Sequence, residues 1–459
     1  MNTPSLRAIG LACSLATAVC LPACGGSGGG GPGVGFYSGA LDPQFGGDGY
    51  AFLDLPGTEF VRAVAVQPDD KVVVVGTLVS PTATDMFVVR LNVNGTLDLG
   101  FGGGTGYKLI DFGGSVDEAF AVALRPSDGA IFVAGRTDFL GGAVAIAELT
   151  SVGDLDATFG VAGQVILSLS TSPDEATAVI VQPDENVLVA GTIGVSSTSN
   201  FFVTRMTPAG DFDATWQGDL AGFPSVRTLT WNNKEECHAM ALDPITGNVV
   251  VAGSTDYTPP GLDLDFAVAR LLPTGLPDTS FNGTGQTTLD FSGKDDTATG
   301  VQIDLVGKVL VSGITQELGA GLMNAVVARL NVTGTLDTSF DDVTTPTSET
   351  GDGRFAYPSG PPAADQGSTA SLLQPDGRLV VVGFTYLGGY TPYNFLVARP
   401  LASGALDTSF ANGAGVEGQH FDGTDSASGV ARDSLGRLVV AGISSSLTTH
   451  QILVMRIAP

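Results

Sequence analysis

Residues 60–101 read FVRAVAVQPDDKVVVVGTLVSPTATDMFVVRLNVNGTLDLGF, and this succession recurs, altered, to the end of the chain. A Gly closes an apolar run seven times, at Gly76, Gly135, Gly191, Gly253, Gly313, Gly383 and Gly442. A second run ends in a basic residue at Arg90, Arg205, Arg270, Arg329, Arg399 and Arg456, with Glu148 in that place once. A third element, L-D-x-x-F or a close variant, centres on Asp42, Asp98, Asp156, Asp213, Asp278, Asp337 and Asp407, with Phe or Trp216 three residues on. The period of 56 to 70 residues is too long for helical repeats and matches a four-stranded propeller blade.

Each unit reads as four strands. The first alternates small residues (Ala63 and Ala65, Ala121 and Ala123), as crowded strands around a central channel require. A tight turn follows (QPDDK, QPDEN, QPDGR), built from residues with turn-forming backbones. Strand two, such as VVVVG, is continuously apolar, the pattern of a strand covered on both faces. FVVRL gives strand three, and the segment after L-D-x-x-F gives strand four. No stretch beyond the N-terminal leader sustains a helical period, so the expected class is all-β.

From the strand-three Arg (or Glu148) to the next Asp is eight residues in all six internal repeats. Arg456 has no such Asp after it and Asp42 no such Arg before it. The two ends are halves of one repeat. The expectation is therefore a seven-bladed β-propeller in which residues 47–55 form the outer strand of the last blade beside 452–457. A ring closed this way leaves no open sheet edge.

The motifs QPDGRLVVVG, FAVARLLPTGLPDTSF and RLNVTGTLDTSF resemble the bacterial delta-60 repeat β-propellers over about residues 39–459. That resemblance implies the fold and assigns no catalytic residue.

The N-terminus carries a different signal. One positive charge, a short apolar run too brief to span a bilayer, and LPAC at residues 21–24 resemble a lipoprotein leader. Residues 1–23 are the expected signal peptide, with Cys24 acylated. Residues 24–38 would then form a Gly/Ser-rich tether holding the propeller, residues 39–459, to the cell envelope. Gly25 after the cysteine resembles lipoproteins of the outer membrane. Cys237 is left alone after Cys24, which excludes a disulfide framework within one copy. Asn94, Asn282 and Asn331, each in an N-x-T context, read as turn residues.

Acidic residues outnumber basic ones, 47 to 20, for a formal charge of −27. Nucleic acid and anionic membrane surfaces are thereby excluded as direct partners. The Asp- and Gly-rich turns FGGDG, GLDLD and DFDAT are the places where Ca2+ would find oxygen ligands. None matches a known calcium loop, turn chemistry accounts for them, and no cofactor or metal is expected. Glu235, Cys237 and His238 could suggest a zinc or Cys–His site, but adjacent strand residues diverge. The expected outcome is a buried Cys237 and a surface His238. No catalytic signature is present, and no catalytic residue is expected.

Spacing locates the variable surface. The strand one–two and three–four turns share one face and are nearly constant in length, apart from insertions at 217–224 and 341–350. The two–three and four–one connections share the other face. Its longest segments are DYTPPGLDLD (256–265), QELGAGLMN (316–324) and YLGGYTPYN (386–394). Variable loops with exposed aromatics are where a rigid scaffold carries function, so Tyr257, Tyr386, Tyr390 and Tyr393 are the candidate ligand-binding residues. The expected function is a monomeric, non-catalytic binding module for a protein or glycan. The alternative is a polysaccharide lyase or hydrolase acting at the channel mouth, which several titratable residues converging there would favour.

Overall fold

In the computed structural model, residues 39–459 are described except 196–197, 232–233, 257–262, 292–294, 317–322, 341–353, 357–364, 387–392, 412–414, 422 and 447–449. Seven antiparallel four-stranded sheets form the ring. Blade 1 comprises Thr58–Val66, Val72–Val79, Thr84–Leu91 and Tyr107–Ile110, from the axis outward. Blades 2 to 7 have innermost strands Asp117–Leu124, Glu175–Val181, Glu235–Leu242, Asp296–Ile303, Gln366–Leu373 and Thr424–Arg432. The second strands are buried along nearly their whole length, because a blade packs against a neighbour on each side.

Closure follows the sequence expectation. Tyr50–Leu53 is the outer strand of blade 7, with Tyr50 opposite Met455 and Leu53 opposite Ile452. Asp42 accepts the Arg456 guanidinium at 2.9 Å, completing the half-repeats.

The repeated Arg and Asp are structural. In blades 1, 3, 4, 5 and 6 the Arg Nε donates to the carboxylate eight residues on, at 2.7 to 2.9 Å. The other carboxylate oxygen accepts a backbone N–H two residues further, as in Asp278 with Ser280 at 3.0 Å. Each guanidinium also lies over the following aromatic ring, from 4.4 Å for Arg399 on Phe410 to 5.2 Å for Arg205 on Trp216. Four of the arginines reach onward to a carbonyl of the next blade: Ser151, Pro273, Ala402 and Val93. The same side chain therefore closes its own turn and fastens the adjoining blade.

Blade 2 departs from this pattern. Glu148 stands in the Arg position, and Arg125 from the one–two turn meets it at 2.8 Å. The charge pair is kept while its placement is exchanged.

Every innermost strand has a register shift of one residue, at Arg62, Phe120, Thr177, His238, Thr299, Thr369 and Ser428. Bulges re-aim a side chain. Three of these residues bind blades together: the hydroxyls of Thr177, Thr299 and Thr369 donate to Cys237, Ser368 and Ala427 carbonyls of the next innermost strand. The expected surface position of His238 is overturned. It is 4 % exposed, because the bulge breaks the alternation that places Cys237 and its neighbour on opposite faces. Cys237 is fully buried, as expected.

Candidate functional site

The seven bulged residues form a belt around the axis, and the repeats serve as one another's controls. Where the belt position is Thr, the hydroxyl bridges blades. Arg62, Phe120 and His238 cannot supply that bridge, so their presence gives up an inter-blade hydrogen bond. Arg62 lies 5.5 Å over the Phe120 ring, and Arg136 lies 5.8 Å from the same ring. The buried Arg62 Nε has no hydrogen-bond partner among the described residues, and neither ring nitrogen of His238 has one. Burial lowers the basicity of both, against the raising charge of Glu118 for Arg62 and of Glu236 for His238.

Two residues before each bulge, toward the face of the two–three and four–one connections, the innermost strands carry Phe60, Glu118, Glu175, Glu236, Thr297, Gly367 and Ser426. Three consecutive blades thus present glutamates at one channel mouth. Glu118 is ion-paired with Arg136, and Glu236 with Lys234 at 2.6 Å. Glu175 has Arg136 at only 3.6 Å. Burial pushes its carboxyl up to about 7, further raised by Glu236 and Glu118 and opposed by Arg136. The titratable residues that would favour chemistry do converge here.

The opposite side of the mouth is aromatic. Gly367 lacks the Cβ that would collide with Phe384, whose ring would lie 2.3 Å from it. Phe384 meets Tyr393 edge-on at 5.4 Å between centroids, and Tyr393 meets Tyr386 at 5.6 Å. Two of the four candidate tyrosines are therefore joined in a column from the channel wall to the two–three connection of blade 6. Both are half-buried, and burial raises the Tyr393 hydroxyl above its ordinary value, with Asp365 adding to the effect. Tyr257 and Tyr390 lie outside the described residues, as do Cys24 and the 341–350 insertion.

The same face carries a third feature. Three residues before each bulge, at or beside the start of the innermost strand, stands an acid or its amide: Glu59, Asp117, Asp174, Glu235, Asp296, Gln366 and Asp425, all at most 4 % exposed. Six accept a backbone N–H from the segment before the strand, such as Phe112 to Asp117 at 2.8 Å and Phe291 to Asp296 at 2.7 Å. They pin the four–one connections. Burial and neighbouring carboxylates push Asp296 up to about 7 and Asp265, beside it, up to about 6.

Two concavities lie away from the mouth. One of about 380 Å³ sits on the tight-turn face between blades 1 and 2, and the other lies under Tyr50, Phe52 and His420. The first is walled by Lys71 and Arg90, both already committed to Asp98, and gathers no new chemistry.

Four segments, residues 67–101, 246–281, 307–340 and 374–410, match a family model described as a domain of unknown function (DUF5122) beta-propeller. Each runs from the one–two turn to the L-D-x-x-F motif, which places the chain among propeller repeat proteins. No curated protein matches the chain. Among solved structures it is similar to Sqt1 from Chaetomium thermophilum, at 12% identity, covering 88% of this chain and 97% of that one, with a TM-score of 0.44. It is also similar to the polysaccharide lyase Uly1, at 12% identity, 92% and 96% coverage and a TM-score of 0.48. The propeller domain of the Trilobed protease from Pyrococcus furiosus matches at 8% identity, 88% and 94% coverage and a TM-score of 0.46. These likenesses concern the fold.

Proposed function

We propose that this protein is an exported, monomeric propeller, held to the envelope through an acylated Cys24, that binds a neutral glycan at the channel mouth beneath the variable loops. The observation carrying this reading is that one mouth joins three glutamates and Arg136 on one side to the Phe384–Tyr393–Tyr386 column on the other. Carboxylates accept sugar hydroxyls, a guanidinium donates to them, and aromatic faces cover the apolar faces of a ring. The charge of −27 repels polyanionic chains and leaves uncharged ones.

Glu175 favours a second reading, catalysis, since a carboxyl titrating near neutrality suits acid–base work. Hydrolysis of a glycosidic bond ordinarily requires two such groups, and here the other two glutamates are neutralised by Arg136 and Lys234. Binding is therefore preferred. Screening the full-length protein against neutral glycans tests both. Glu175→Gln and Tyr393→Ala are expected to weaken capture about tenfold or more, while Asp376→Ser in the QPDGR turn leaves it unchanged. Ligand mapping to the tight-turn face would overturn the site, and product formation would replace binding by catalysis.

A further inference from the structure

The chain enters the propeller on the tight-turn face. Gly39, the first described residue, donates its N–H to the Ala458 carbonyl at 3.2 Å, and Ala458 donates in return to Ala40 at 2.8 Å. Ala458 follows the third strand of blade 7, His450–Ile457, whose end opens on that face. A few residues on, the Gly46 N–H bonds the Asn94 carbonyl in the three–four turn of blade 1.

The one–two turns of this face are of two kinds. In blades 1, 2, 3 and 6 an exposed aspartate stands at the tip, as Asp69, Asp128, Asp184 or Asp376, and accepts the N–H two residues on. In blades 4, 5 and 7 the aspartate stands further back, as Asp243, Asp304 and Asp433, and accepts the N–H of the tip residue itself at 2.8 to 3.0 Å. Both arrangements close the turn. The second leaves the tip no polar duty, and the tip is then Ile245, Val306 or Leu435, 70%, 69% and 68% exposed.

Blades 4 and 5 join such tips into a patch. Leu305 and Val332 are exposed on the same face as Val306, and Val332 stands against Gly307, where a Cβ would lie 3.3 Å from its Cγ1. The Asn282 N–H of blade 4 donates to the Thr333 carbonyl at 2.7 Å, which holds the turns of the two blades edge to edge. Within residues 243–248, 272–285, 304–308 and 331–340 no exposed residue is charged. Asp278 is paired with Arg270, and Lys308 with Asp337. Single exposed apolar residues are ordinary, but an uncharged apolar patch on a chain of formal charge −27 marks a contact surface.

Reach decides what covers it. With Cys24 acylated, residues 24–38 join the lipid to Gly39. A Gly-rich chain of that length spans roughly 20 Å on average. The strands separating the two faces of the ring have up to nine residues, a height of about 30 Å. The tight-turn face is therefore the one held at the bilayer. The charge of −27 repels anionic lipid and leaves headgroups of no net charge.

We propose that the tight-turn face lies on a zwitterionic bilayer, with Ile245, Leu305, Val306, Val332 and Leu435 set among the headgroups and the variable loops turned away from the membrane. The docking rests on the acylated Cys24 and is independent of the glycan reading. Full-length acylated protein carrying Val306→Cys or Leu435→Cys, labelled there with an environment-sensitive fluorophore, is reconstituted into phosphatidylcholine vesicles containing nitroxide lipid. Both labels are expected to shift to the blue and to be quenched about twofold or more, as for side chains at the headgroup boundary. A label at Val79→Cys, on the opposite face, should behave as in buffer. Leu305→Ser/Val306→Ser should reduce quenching of the Leu435 label without changing vesicle flotation. If circular dichroism shows either labelled variant to be misfolded, Val332→Cys takes its place. Failure of the wild type to float would reject the anchor and this docking with it. Flotation with the Val306 label quenched no more than the Val79 label would overturn the docking alone. A blue shift that needs no lipid and grows with protein concentration would assign the face to a second copy and overturn the proposal as well.

Discussion

Arg456 and Asp42, 414 residues apart in sequence, form a hydrogen-bonded ion pair at 2.9 Å in which the arginine is 2% and the aspartate 5% exposed. Arg437 donates to the same carboxylate at 3.1 Å. Chain closure therefore has a polar lock beside the Tyr50–Leu53 strand pairing. Asp42→Ala strands the Arg456 guanidinium and should cost about 3–5 kcal/mol in chemical denaturation, the range for breaking a buried pair from one side. Deleting residues 39–57 also removes the outer strand of blade 7 and bares the edge of its neighbour, His450–Ile457. That variant should aggregate by light scattering.

The internal pairs should behave as smaller versions of this lock. Asp278→Ala or Arg270→Ala is expected to lower stability by ~1–3 kcal/mol, the cost of an unsatisfied charged partner. The pH dependence has a definite sign. Burial raises the Asp278 carboxyl, but hydrogen bonds from Ser280 and the charge of Arg270 more than offset it, leaving it below the ordinary value. A depressed carboxyl contributes fully above the unfolded value of about 3.9 and loses its contribution as pH falls through the folded value. The gap between wild type and Asp278→Asn should therefore be constant from about pH 5 to 7 and close in stronger acid. An unchanged gap at about pH 2 would exclude this pair as its source.

Blade 2 offers a swap. Burial pushes Glu148 up to about 7 despite Arg125, so the native state holds a proton that the unfolded chain releases above about pH 4.3. Stability should fall as pH rises through that window. Arg125→Gln and Glu148→Arg should each destabilise. Together they recreate the arrangement of blade 1, in which Arg90 bonds Gln67 at 3.2 Å and Asp98 at 2.7 Å. The double variant should recover the wild-type Tm and lose the pH slope. Additive losses would mean that the two arrangements are not interchangeable.

Blade number, strand order and closure are legible in the sequence because the Gly that closes strand two recurs and because Arg90, Asp98 and their equivalents keep a spacing of eight, and that fixed spacing reports a repeated hydrogen-bonded geometry. The belt is not. Its position lies 14 or 15 residues before the strand-two Gly and holds Arg, Phe, Thr, His, Thr, Thr and Ser, which looks like noise until the bulge sets them in register. Alternation fails at a bulge, and it misplaces His238 for that reason. The acid or amide three residues before each bulge is visible in principle, 17 or 18 residues before the same Gly. What it meets, as where Asp85 and Asp111 stand beside Asp117, is a contact between strands that the linear pattern does not show. Among the described residues, one of the turns noted for Ca2+, GLDLD, brings Asp265 beside Asp290 and Asp296.

The lipid anchor is tested separately from the ring. Cys24→Ser should move the protein from the membrane to the soluble fraction and abolish incorporation of labelled fatty acid. Soluble partitioning of the wild type would reject the anchor.

The belt supplies the sharpest contrast between stability and function. Thr177, Thr299 and Thr369 each give a hydroxyl to a carbonyl of the next innermost strand, at 2.8 to 3.0 Å. His238 occupies the same bulge in blade 4, is buried, and has neither nitrogen bonded among the described residues. A buried polar group without a partner costs about 1–3 kcal/mol, and proteins retain such costs where a site needs them. His238→Thr removes the unsatisfied ring and installs the hydroxyl used by blades 3, 5 and 6, aimed at the Ala298 carbonyl. The variant should therefore be more stable than wild type, by about 1 kcal/mol or more in chemical denaturation, and should bind glycan less well. A loss of stability would show that His238 packs the channel as a structural residue. A gain in stability with glycan capture intact would remove it from the binding site and leave the mouth to Glu175, Arg136 and the tyrosine column.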